Sequence, residues 1–172
     1  MWKRIEELFE GLPAQKQVAR KMIELGLRIG ADNRIYCGEV EVKEVSLAHA
    51  AGVDRRVVVS TVTSIVSDKK LASLFSKIRP AGTLLADVAH DLGFGVVEIE
   101  ANEATSGSAS PGIIAAATAP IAKKRISIRQ IYSKDPELFE NPNLIIITEK
   151  PIPGSMISEF SKIKGVTKVS IL

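Results

Sequence analysis

Two short stretches hold residue types whose spacing suits chemistry. The first is "SASPGIIAAATAPIAKKRISI", residues 108–128. Ser110 reads as an N-cap and Pro111 as the first residue of a helix. Gly112 lets backbone approach a ligand without a Cβ in the way. The first amides of such a helix, at Gly112 and Ile113, have no intrahelical partner and suit a carboxylate. A plain capped helix with a tight entry turn would use the same residues. The second stretch is "DRRVVVSTVTS", residues 54–64. Asp54 can cap a helix whose next outward positions are Arg55, Arg56 and Ser60, groups that pair with phosphates and base edges. An ordinary helical hairpin with surface arginines is the other reading.

Other reactive types are scattered. His49 and His90 are the only histidines, with no Cys or carboxylate at metal-ligand spacing. Cys37 is the single cysteine and lacks an activating neighbour. "GFG" (93–95) lacks the third glycine and the preceding strand of a nucleotide loop. No catalytic constellation, metal site or cofactor site is expected, so the chain reads as a non-enzyme.

Elements must hold the two stretches in place. Residues 1–28 read as helical, with Pro13 in a first turn and an apolar face through Val18, Met22 and Leu25. "GADN" (30–33) breaks that helix, and "RIYCGEVEV" (34–42) is β-like. Residues 43–78 read as helix interrupted at Gly52. "RPAGT" (79–83) is a boundary, and "LLADVAHDLG" (84–93) reads as a short helix ended by Gly93.

The period then changes. "GVVEIEAN" (95–102) alternates as a half-buried strand. A helix over 111–124, a strand over 126–133, a strand over 144–149, a helix over 154–163 and a strand over 166–172 follow. Pro120 falls inside the first of these helices, where a ring costs ~3 kcal/mol and predicts a kink or early end. The order β-α-β-β-α-β predicts a ferredoxin-like antiparallel sheet with both helices on one face.

Bulk numbers limit the classes open to the chain. It has 172 residues and a net charge of +3, too little to argue for nucleic acid alone. Residues 1–82 hold 14 Lys+Arg against 10 Asp+Glu, and residues 83–172 hold 9 against 10, so the positive excess lies in the first half. One cysteine rules out an intrachain disulfide and fits a cytoplasmic location. No run has the ~18 apolar residues of a membrane span, and the amphipathic start is unlike a signal peptide.

Resemblance sharpens the picture. "PGIIAAATAPIAKKRISI" resembles the ACT domain signature, and the likeness extends in element order over 95–172. It implies a small amino-acid effector bound between paired domains, at Ser110, Pro111, Gly112, Ile113, Ile126 and Ser127. "VSLAHAAGVDRRVVVSTVTSI" (45–65) resembles a helix-turn-helix. Ala48 is the small crossing residue, Gly52 the turn and Val58 the buried anchor, with Thr61 where an aliphatic is usual. The β-like segment before it suggests a winged variant.

The whole chain is similar to a small group of archaeal proteins described as predicted regulators of amino-acid metabolism. The expected fold is α+β: a helix-turn-helix-like domain over 1–80, a linker helix over 81–94 and a ferredoxin-like βαββαβ ACT domain over 95–172. The expected function is a ligand-responsive transcriptional regulator, with DNA, a small amino acid and a second copy of itself as partners. A regulatory subunit that controls an enzyme of amino-acid metabolism without binding DNA is the alternative.

Overall fold

The computed structural model describes residues 2–101, 111–135, 138–139 and 142–172. The chain divides into two units, Met1–Gly82 and Thr83–Leu172.

The first unit opens with two helices where one was expected. These are α1, Trp2–Leu8, and α2, Pro13–Glu24. Pro13 starts α2 as predicted, its missing N–H being one the first turn does not need. The chain then turns at Gly26 into strand β1, Leu27–Ile29, whose first two residues fall within the helix expected over 1–28. Gly26 has φ +66, and a Cβ there would lie 2.5 Å from the Cα of Pro80. Only glycine satisfies both the handedness and the close approach.

Strands β2, Ile35–Cys37, and β3, Val40–Val42, complete a three-stranded antiparallel sheet in the order β1-β2-β3. Three more helices follow: α3, Glu44–Ala51; α4, Arg55–Ser67; and α5, Lys69–Phe75. The predicted single break at Gly52 is joined by a second at Asp68, whose extended backbone ends α4 and caps α5.

Ile5, Val18, Met22, Ile35, Leu47, Val58, Ile65, Leu71 and Phe75 form the unit's buried apolar interior. Each fully buried side chain of this kind contributes roughly 1.5–3 kcal/mol. Arg4 of α1 donates to the Asp68 carboxylate at 2.7 Å, tying the first helix to the α4–α5 junction.

The second unit holds strand β4, Gly95–Ala101; helix α6, Ile113–Lys123; strands β5, Ile128–Ser133, and β6, Asn143–Thr148; a short helix α7, Ile157–Phe160; and strand β7, Val166–Ile171. The four strands form one sheet in the order β5-β6-β4-β7, antiparallel at every neighbour. The order along the chain is the predicted β-α-β-β-α-β. The predicted 154–163 helix is shorter, a 3₁₀ turn over Gly154–Met156 running into α7.

On one face of the sheet, Val97, Ile99, Leu144 and Ile146 pack with Ala117 and Ile121 of α6 and with Met156 and Phe160. On the other, Val96, Ile145 and Ile147 pack with Ala89, Leu84, Leu85 and Phe94. This second layer explains β6: all six of its residues are buried, so "LIII" shows no alternation.

It also corrects the linker helix. Residues 84–93 hold only a 3₁₀ segment, Ala86–Val88. Leu84, Leu85, Ala86 and Ala89 pack on the sheet, while Val88 and Leu92 stay exposed, and Gln130 fixes the approach by donating to Thr83 O at 2.9 Å and accepting from Leu85 N at 3.0 Å. Among the described residues no helix is long and apolar enough to cross a membrane.

Candidate functional site

The first candidate site is built on α3 and α4. Ala48 and Val58 are both buried, at 4% and 0% exposure. The chain turns between the helices through Gly52, whose φ of +65 is left-handed and whose N–H bonds to Ala48 O and His49 O. Asp54 caps α4 by accepting from Arg56 N at 2.8 Å, as its type predicted. Val58, Thr61, Val62 and Ile65 form the inward face of α4.

Thr61, where an aliphatic was expected, is fully buried, and its hydroxyl donates to Val57 O at 2.7 Å. That bond removes most of the cost of burying a hydroxyl. Arg55, Arg56 and Ser60 are exposed, so the structure places all three sequence-predicted residues on the outer side of one helix.

The second set of candidate residues is split by α6: Pro111, Gly112 and Ile113 lie at its start, and Ile126 and Ser127 follow its far end, about 16 Å of helix away. Ser110 lies outside the described residues. Pro111 precedes the helix instead of beginning it, and both Pro111 and Gly112 are exposed. Gly112 is itself the N-cap, with φ +92, and its carbonyl accepts from Ala116 N at 2.9 Å. The predicted serine cap is thus replaced by a left-handed glycine, a backbone shape that side chains disfavour. Among the described residues, nothing lies within 4 Å of a Cβ built at Gly112.

Ile113 is buried, at 5% exposure, and Ile126 at 7% joins the helix-side core. These two position the backbone and offer no side chain to a ligand. Pro120 neither ends nor shortens α6, which continues to Lys123.

Ser127 is exposed, but its backbone is already engaged. Its N–H donates to a Glu149 carboxylate oxygen at 3.1 Å, and its carbonyl accepts from Glu149 N at 2.9 Å. The Ser127 backbone and side-chain bonds hold the Glu149 carboxyl below the usual carboxylate range. The sequence offers no local sign of this contact. Its signal is long-range: Glu149 stands 22 residues from Ser127 and meets it only through the β5–β6 pairing. An ionised carboxylate at this edge repels anions and attracts cations.

Among the described residues, no group of three or more His, Cys, Asp or Glu could hold a metal ion. The chain matches no protein-family model and no curated protein sequence.

Proposed function

We propose that the chain is a ligand-responsive transcriptional regulator of amino-acid metabolism. Its first unit acts as a helix-turn-helix-like DNA-binding domain, and its second as a ferredoxin-like ACT domain that binds a small amino acid. The observation that carries the reading is the α3–Gly52–α4 corner. Its small crossing residue and anchor are buried, and Arg55, Arg56 and Ser60 are exposed on the helix that would enter the major groove. The βαββαβ order of the second unit and the exposed glycine opening α6 support the effector half.

In this reading the amides at the start of α6 receive the effector's carboxylate. Paired second units complete the site. Effector binding changes DNA affinity only by the difference in its affinity for the two states, with couplings of roughly 1–3 kcal/mol. The test is a calorimetric titration of the protein with each of the common amino acids, followed by duplex DNA binding with and without the one that binds. Heat from none of them removes the effector half of the proposal.

The rival reading, a regulatory subunit that docks on an enzyme, draws on Val45 and Val59. These apolar residues of α3 and α4 are 59% and 45% exposed. The two readings separate on salt: phosphate contacts weaken steeply as salt rises, and apolar docking does not.

A further inference from the structure

Two sets of cations in the first unit contrast, with Lys3, Lys77 and Arg79 exposed as well and outside both. Those on and beside the three-stranded sheet are matched by acids: Arg28 with Glu39, Arg34 with Asp32 and Glu41, and Lys43 with Glu41. Arg55 and Arg56 at the start of α4, and Lys69 and Lys70 at the start of α5, are exposed. Among the described residues, no ion pair involves any of these four.

The acids next to them in sequence are occupied elsewhere. Asp54 accepts from the Arg56 backbone, and Asp68 accepts from two backbone amides and from the Arg4 guanidinium. Arg4 and the backbone amides together hold the Asp68 carboxyl low, so its charge is compensated at its own position.

Between the two cation pairs runs an uncharged polar stripe. Arg56, Ser60, Thr63 and Ser67 recur at spacings of four, three and four, which puts them within about 60° on one side of a helix. Ser60, Thr63 and Ser67 are exposed, and each hydroxyl donates back to a carbonyl one turn earlier. Their hydrogens are thereby occupied, while their oxygens stay able to accept. The 13 residues of α4 span about 20 Å, more than the ~12 Å width of the major groove of B-DNA. Lys69 follows Ser67 by two residues, at most ~8 Å of chain.

We infer that Lys69 and Lys70 are the second half of a phosphate clamp on duplex DNA. Arg55 and Arg56 hold phosphates on one side of the major groove, Lys69 and Lys70 hold them on the other, and Ser60, Thr63 and Ser67 face the base edges between. The inference rests on the DNA-binding reading and adds residues and a division of labour to it. It also assigns the sheet no phosphate contacts, because its cations are neutralised internally.

The experiment uses the full-length protein and fluorescently labelled mixed-sequence duplexes, one AT-rich and one GC-rich, titrated by anisotropy over a range of salt. Lys69→Ala with Lys70→Ala should lower the slope of log affinity against log salt by about 2, because each phosphate contact contributes about 0.9. The loss should be the same on both duplexes, since phosphate contacts carry no sequence information. Lys69→Arg with Lys70→Arg should keep the parent slope. An unchanged slope in the alanine variant, with the parent binding normally, overturns the clamp and leaves the DNA reading standing. No duplex binding by the parent overturns both.

Discussion

The two helices at the centre of the two units, α4 and α6, are made of opposite materials. Helix α4 has an aspartate cap, arginines at its start and hydroxyls along its outer side. Helix α6 has no charge before Lys123, a bare glycine for a cap, and exposed Ala115, Ala119 and Ala122. Under the proposed function the two units keep their chemistry in different places: the first in side chains that project from a helix surface, the second in backbone groups at a helix mouth. Substitutions should therefore act on the first unit by removing groups and on the second by changing backbone shape.

The largest expected effect tests whether the units are separate at all. Phe75 and Phe160 are each fully buried, one in each unit. Phe75→Ala and Phe160→Ala should each cost about 3–5 kcal/mol. Hydrogen exchange should report the loss of protection mainly in the unit that carries the substitution. Protection lost evenly across both units would break the comparison.

Next comes the glycine at the mouth of α6. Gly112→Val meets none of the described residues but must hold φ +92, at a cost of about 1–2 kcal/mol. The protein should still fold, with a lower urea midpoint. Binding of the amino acid that the parent binds should weaken tenfold or more, about 1.4 kcal/mol. A folded variant with full affinity would reduce Gly112 to a shape-setting residue and remove the backbone site.

On the other helix, Arg55→Ala with Arg56→Ala should weaken duplex binding in a mobility-shift assay and leave the circular dichroism spectrum unchanged. Parent-like binding would end the assignment of α4 as the DNA-contacting helix. Asp54→Ala should cost the first unit about 1 kcal/mol through its lost cap, measured by urea unfolding.

The smallest effect is a pH dependence. Asp68 has a folded-state pKa below its unfolded value, first through the Arg4 hydrogen bond and then through the Leu71 amide. Its stabilisation is therefore present above about pH 3.9 and is lost as pH falls through the lower folded value. Asp68→Asn should flatten the stability profile of the first unit in that acid range. An identical profile would mean that the pair adds nothing.

The strands of the second unit were legible because their periods are clear: Val97 and Ile99 alternate with Glu98 and Glu100, and "LIIIT" is a buried run. The α3–α4 corner was legible from Ala48, Gly52, Asp54 and Val58, each of a type its position demands. Three features were not. Leu27–Ile29 continues the apolar spacing of α2, so only the left-handed turn at Gly26 marks its strand. Residues 84–93 have helix-forming types, yet Leu84, Leu85, Ala86 and Ala89 find more to bury on the sheet than in a helix of their own. Glu149 meets Ser127 only through strand pairing, which composition and local spacing do not encode.

The most direct test of the central claim is one titration: the full-length protein against labelled duplex DNA at rising salt, with and without each common amino acid. The account predicts affinity that falls steeply and linearly on a log–log plot and that at least one amino acid shifts severalfold. Binding indifferent to salt, or the same with every amino acid present, would contradict it.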